Sequence, residues 1–179
     1  LSEAKKNIVG VFIGRFQPFH LGHLEAIKYT LTKVDQLIIV IGSAQYSHTL
    51  SNPFTAGERL VMLKLALNEA KINCDKYFII PVEDVNVHGL WVSHLKSRIP
   101  SFDVAFSNEP VTSRLLKEAG VKVEKIPFFN RALYSATEIR KRILKSENWM
   151  ELVPNSVACF IKEIKGVERI IELNKSDKI

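Results

Sequence analysis

Residues Asn7 to Gly42 read NIVGVFIGRFQPFHLGHLEAIKYTLTKVDQLIIVIG. Asn7 to Gly14 (NIVGVFIG) is an apolar run of strand length that ends on a glycine. Leu21 to Lys33 places Leu24, Ile27 and Leu31 on one face of a helix. Gln36 to Gly42 (QLIIVIG) is apolar at nearly every position, as a central parallel strand buried on both faces should be. Strand, helix and strand in this order form a βαβ unit, which closes by a right-handed crossover.

The alternation continues outward from that unit. A polar loop runs from Ser43 to Phe54. Thr55 opens a helix, with Glu58 three residues on as its capping-box partner. Tyr77 to Val82 is expected as a third strand, Leu90 to Arg98 as a short helix, and Asp103 to Ser107 as a fourth strand. A helix from Val111 to Ala119 and a fifth strand from Val121 to Pro127 follow. Ser135 caps the next helix, with Glu138 as its expected capping-box partner. The tail, Pro154 to Asn174, reads as one or two amphipathic helices broken near Gly166. The expectation is an α/β fold: a Rossmann-like, doubly wound parallel sheet of about five strands, with a C-terminal helical segment. The 179 residues are expected to form a single domain, its helical tail spanning about 154–174. In such sheets ligands bind beyond the carboxyl ends of the strands. The segments after strands one, two, three and five are therefore where chemistry is expected.

Composition narrows the function classes. No stretch approaches the ~18 consecutive apolar residues of a membrane span. The first apolar run, Ile8 to Ile13, is too short for a signal peptide, so no secretory leader is expected. Cys74 and Cys159 form no CxxC pattern, which argues against a zinc site or disulfide framework and fits a reducing cytoplasm. The net charge of +6 suits nucleic acid, an anionic membrane or a phosphorylated small substrate. No dense basic run interleaved with aromatics occurs, which makes extended nucleic-acid binding the weaker option.

Two segments carry chemistry. The first is Gly14-Arg15-Phe16-Gln17-Pro18-Phe19-His20-Leu21-Gly22-His23. His20 and His23 stand three apart at a helix start, so both can face one side. A helix N-terminus favours anions, and Gly22 admits close approach of backbone to a ligand. Two imidazoles there can donate hydrogen bonds to phosphate. The same spacing also occurs in metal sites and in incidental surface pairs, and spacing alone leaves these open. The second segment is Ser135-Ala136-Thr137-Glu138-Ile139-Arg140. It puts two hydroxyls at another helix start and a guanidinium, able to pair bidentately with phosphate, within one turn. A plain capped helix with a solvated Arg140 is the other reading.

Together the two segments resemble the nucleotidylyltransferase superfamily, whose HxGH motif is matched by His20-Leu21-Gly22-His23. GRFQPFHLGH, GSAQYSHTLSNPFTAGER (Gly42 to Arg59), IPVEDV, LWV and YSATEIR resemble archaeal-type nicotinamide-nucleotide adenylyltransferases, from about Ile8 to Arg169. The resemblance implies transfer of the adenylyl group of ATP to nicotinamide mononucleotide, giving NAD and pyrophosphate with Mg²⁺. It implies that His20, His23, Arg15 and Arg140 carry catalysis. It implies ATP contacts from these four and from Gly14, Phe16, Gly22, Ser107, Asn108, Ser135 and Thr137. The mononucleotide would be held by Phe16, Gly42, Ser43, Asp84 and Trp91, with Trp91 stacked on the nicotinamide ring. A lone tryptophan in a short helix is otherwise a core aromatic. No metal ligand is implied from the protein, because Mg²⁺ would ride mainly on the ATP phosphates. No nucleic-acid or membrane partner is implied. A cytoplasmic homo-oligomer is, hexamers being common among the relatives. An acceptor such as FMN or phosphopantetheine is the nearest rival.

Two positions depart from the family pattern. Ser107-Asn108-Glu109-Pro110 replaces a glycine-asparagine pair after the fourth strand, with Asn108 placed to substitute in the adenosine contact. Ser51 stands where relatives often carry a basic residue, so a phosphate contact is either missing or supplied by His48.

Overall fold

A computed structural model describes residues 7–127, 129 and 133–176. The outer ends of the expected single domain, residues 1–6 and 177–179, lie outside the described residues. Five parallel strands form one sheet in the order β3-β2-β1-β4-β5. They are β1 (Val9–Gly14), β2 (Gln36–Ile41), β3 (Tyr77–Pro81), β4 (Val104–Phe106) and β5 (Lys122–Glu124). Among the described residues seven α-helices connect and follow them: α1 (Leu21–Leu31), α2 (Ala56–Glu69), α3 (His88–Arg98), α4 (Pro110–Glu118), α5 (Ala136–Leu144), α6 (Asn155–Glu163) and α7 (Gly166–Ser176).

Strand alternation sends successive side chains to opposite faces. Phe12, Leu37, Ile39 and Ile41 join a core built with α1, α2 and α5 to α7. Val11, Ile38, Val40 and Ala105 join a second core with Val92 and Leu95 of α3 and Leu116 of α4. Both faces are therefore covered, which explains why β2 is buried from Leu37 to Ile41. The chain winds outward from β1 through β2 to β3, then crosses back to β4 on the other side of β1. The reversal of strand order falls between β1 and β4, where an open α/β sheet leaves a crevice.

The expected strands four and five are longer than those observed. The last residue pair is Phe106 with Glu124, Ser107 N still bonds Glu124 O at 3.1 Å, and Asn108 then takes over the partner's place. Its side chain donates to Ile126 O at 2.6 Å and accepts from Ile126 N at 3.0 Å, continuing the ladder with an amide side chain. The tail divides as expected, at Gly166, where an added Cβ would stand 2.8 Å from the Phe54 ring and 3.0 Å from Ile161 O. It is anchored by Arg169, which donates to both carboxylate oxygens of Glu58 at 2.7 and 2.8 Å and to Pro53 O. Glu58 also completes the capping box of α2, accepting from Thr55 N while Thr55 Oγ1 accepts from Glu58 N. No helix among the described residues is long and apolar enough to cross a membrane.

Candidate active site

The turns beyond β1 and β4 open onto two adjoining cavities. One, of about 420 Å³, lies between the start of α1, the end of β4 and the start of α5. The other, of about 730 Å³, lies between the ends of β1 to β3, α3 and α4. Arg15, Ile13, Ser107 and Glu109 line both, so these four mark the junction.

The first cavity collects His20, Gly22, His23, Ser135, Thr137 and Arg140. His20 is itself the N-cap of α1. Its Nδ1 accepts from His23 N at 3.2 Å, while His23 Nδ1 accepts from His20 N at 3.3 Å. An imidazole that accepts through Nδ1 carries its neutral-state proton on Nε2. Each ring therefore keeps an Nε2–H donor for a ligand. The rings stack with centroids 3.5 Å apart, and His23 packs edge-on to Phe16. Burial lowers His20 to about 3. His23 is likewise held well below its ordinary value, by burial first and by the charge His20 would carry second. The two imidazoles are thus neutral hydrogen-bond donors. The positive charge at this end of the cleft comes from the guanidinium groups of Arg15 and Arg140.

Arg140 donates to Gln17 O at 2.7 Å, which ties α5 to the loop after β1. Its pKa is lowered by burial and then by the nearby Arg15 charge. Two guanidinium groups that line one cavity and repel one another suit an anion placed between them. Ser135 caps α5 by accepting from Glu138 N at 3.1 Å. The expected reciprocal half of that capping box is absent, because the Glu138 carboxylate turns outward to Arg142 and Lys141. Gly22 is required for packing: an added Cβ would stand 2.9 Å from Tyr134 Cβ and 3.1 Å from His20 Nδ1.

The second cavity collects Gly14, Gly42, Ser43, Asp84 and Trp91, together with Tyr46. Ser43 Oγ donates to Asp84 Oδ2 at 2.6 Å. Gln45 holds the Asp84 backbone from both sides, accepting from its N–H and donating to its carbonyl. Trp91 is partly buried against the α3–α4 core while still lining the cavity, so it is at once a core aromatic and a wall.

Some residues sit differently from expectation. Gly14 borders the second cavity rather than the first, and Phe16 the first rather than both. The cause is the turn at Phe16, whose φ of 53° folds its ring back between Phe12 and Phe19. Ser107 and Asn108 both line the first cavity; Ser107 Oγ accepts from Glu109 N and keeps its O–H donor, while the Asn108 amide is bonded to Ile126. Ser51 lines the first cavity; exposed His48 bonds Ser47 instead. The segment after β4 brings the expected Ser107 to both cavities, and with it Glu109, which was not among the expected site residues.

Arg59 and Glu109 escaped the sequence reading. Arg59 lies in the buried stripe of α2 with Met62, Leu63 and Ala66, and an arginine in an apolar stripe is the signal that could have found it. Glu109 caps α4 by accepting from Val111 N and Thr112 N. Burial acts to raise its pKa, but the bonds from Thr112 and Val111 outweigh this and keep it low. Among the described residues no three His, Cys, Asp or Glu side chains cluster to hold a metal ion. The polar groups lining the first cavity are mostly donors, which suits a cation that brings its oxygen ligands on a polyphosphate.

A crevice at the strand-order reversal, a histidine-capped helix start and a second capped helix carrying an arginine define a nucleotidyltransferase-type α/β domain. Residues 11–142 match the cytidylyltransferase-like family. The chain is 52% identical over 169 residues to a nicotinamide-nucleotide adenylyltransferase of Archaeoglobus fulgidus, covering 93% of this chain and 97% of the relative. It is 47% identical over 169 residues to one from Saccharolobus solfataricus, covering 94% and 98%. The chain belongs to the archaeal-type nicotinamide-nucleotide adenylyltransferases of the cytidylyltransferase-like family. In fold it resembles a bifunctional NMN adenylyltransferase/ADP ribose pyrophosphatase of Francisella tularensis, with TM-score 0.80 at 22% identity, covering 96% of this chain. It spans about half of that longer chain, 54%. The same protein is also known in complex with AMP and a manganese ion, with TM-score 0.79 at 23% identity.

Proposed function

We propose that the chain transfers the adenylyl group of ATP to the phosphate of nicotinamide mononucleotide, releasing pyrophosphate and forming NAD. The observation that carries this reading is the junction. Arg15 lines both cavities, so a triphosphate in the first and a nucleotide phosphate in the second meet at one guanidinium.

The acceptor phosphate is already an anion near pH 7, and no general base is needed. Its oxygen attacks the α-phosphorus, the bond from that phosphorus to the bridging oxygen breaks, and pyrophosphate leaves with the electron pair. Catalysis is then alignment and stabilisation of charge. Arg15 and Arg140 supply positive charge. His20 and His23 supply Nε2–H donors to phosphate oxygens at the start of α1. Ser135 and Thr137 frame the far end of the triphosphate at α5. A divalent cation such as Mg²⁺, carried by the ATP phosphates, would supply further charge neutralisation there. Trp91 stacks on the cationic pyridinium, and Asp84, held by Ser43, stands on the same side of the cavity.

The family resemblance also supports a cytoplasmic homo-oligomer. Exposed Phe78 on the edge strand β3 and exposed Val87 and Leu90 at the start of α3 give apolar surface for self-association. Purified protein mixed with ATP and nicotinamide mononucleotide should form NAD when Mg²⁺ is present and lose that activity on chelation. Formation of no dinucleotide in any divalent cation would overturn the reading.

A further inference from the structure

We propose that Arg59 is a positioning residue that fixes the separation between the ATP half and the acceptor half of the cleft, an inference that rests on the adenylyl-transfer reading. Arg59 is fully buried. A buried guanidinium usually answers a carboxylate, yet every hydrogen bond of this one goes to a backbone carbonyl. Nε donates to Thr55 O at 3.2 Å, within its own helix. Nη1 donates to Arg15 O at 3.0 Å and to Gly42 O at 2.9 Å. Nη2 donates to Ser43 O at 3.1 Å, with longer contacts to Tyr46 O and Ala44 O. Asp84 acts on it only through its charge. Burial is the largest effect and lowers the pKa to about 10; Asp84 raises it and Arg15 lowers it.

Apart from Thr55 O, the bonded carbonyls belong to two turns. β1 and β2 pair in register as far as Gly14 and Ile41, and Gly42 N still bonds Gly14 O at 2.9 Å. Arg15 and Gly42 are where the two strands leave the sheet, and a single nitrogen, Nη1, bridges their carbonyls. Arg15 is the residue at the junction of the cavities. Ser43, on the other side, bonds Asp84 in the acceptor cavity. Both turns contain a non-glycine residue in the left-handed region, Phe16 at φ 53° and Ser43 at φ 52°. Such conformations persist where the surroundings hold them, and the Arg59 bonds to Arg15 O and Ser43 O do so. A purely structural filler at this depth would be apolar, since a buried cation is costly to desolvate. What the guanidinium adds is a fixed spacing between two loops that bind different substrates.

This spacing matters to anything that spans both halves and little to a ligand that occupies one. The test compares Kd values for ATP, nicotinamide mononucleotide and NAD, together with kcat and Tm, in wild type and in Arg59→Lys, which keeps the charge but loses the planar fork. The expected result is a fall of about tenfold or more in both kcat and NAD affinity, with Kd for each single substrate within about threefold. Arg59→Gln should be worse by the same pattern. A parallel weakening of all three ligands in step with Tm, or no change in any of them, would overturn the proposal. If neither variant folds, hydrogen exchange of the wild-type protein decides. Ala44 and Tyr46 amides, bonded to Val82 O and Ser43 O, should then be protected like those of β2, and exchange at the rate of an open loop would overturn it. NAD synthesis by the wild type tests the parent reading separately. A wild type that makes NAD while Arg59→Lys shows uniform weakening refutes only the role of Arg59.

Discussion

His20 and His23 cap the same helix start reciprocally, each imidazole accepting the other residue's backbone N–H through Nδ1, at 3.2 and 3.3 Å. The geometry fixes the neutral tautomer of both rings before any substrate arrives, and it gives each ring two roles. One nitrogen maintains α1, and the other is available for phosphate.

His23→Ala should therefore lower turnover by about 10²-fold, the scale of losing one oriented transition-state donor. It should also cost stability on the order of 1 kcal/mol, because half of the cap goes with it. Steady-state kinetics and a denaturant titration of the same preparation check both. Turnover within a few-fold of wild type would make the histidine a helix cap and nothing more.

The depressed imidazole values make folding sensitive to acid. Below their ordinary value of 6.5 the unfolded chain takes up protons that the folded site refuses, down to about 3 for His20. Stability should be flat above about pH 6.5 and fall as pH is lowered. The slope is up to about 1.4 kcal/mol per pH unit for each histidine. His20→Asn keeps a capping side chain without the titration, and its stability profile between pH 4 and 6.5 should be flatter than that of wild type. Identical profiles would show that other groups govern acid unfolding.

Trp91→Ala should raise the KM for nicotinamide mononucleotide more than that for ATP. Stacking on a pyridinium is worth roughly 0.5–2 kcal/mol, which corresponds to an increase of about 2- to 30-fold. Because Trp91 also packs against the α3–α4 core, some loss of Tm is expected alongside. Equal changes in both KM values would assign it to the core alone.

The strand–helix alternation, the helix starts at Leu21 and Ser135 and the break at Gly166 were legible in the sequence because each is local. A periodic run, a capping pattern or a glycine declares itself within a few residues. The motifs also placed His20, His23 and Arg140 together, because each lies directly after a strand or at a helix start. What was not legible depends on distant partners. Nothing near Asn108 says that its amide will extend a strand by pairing with Ile126, and nothing near Arg59 announces that carbonyls from residues 15 and 42–46 will converge on it. Glu138 illustrates the converse. Its spacing from Ser135 fits a capping box, but Lys141 and Arg142 compete for the carboxylate and win. The neutral state of the histidines is illegible for a related reason, since burial and the inward-facing Nδ1 atoms are properties of the fold.

The most direct measurement follows the label from ATP carrying a radioactive α-phosphorus, with Mg²⁺ and an equimolar mixture of nicotinamide mononucleotide, FMN and phosphopantetheine. The label is expected in NAD, with unlabelled pyrophosphate released in equal amount. Label entering FAD or dephospho-coenzyme A in preference to NAD would contradict the account.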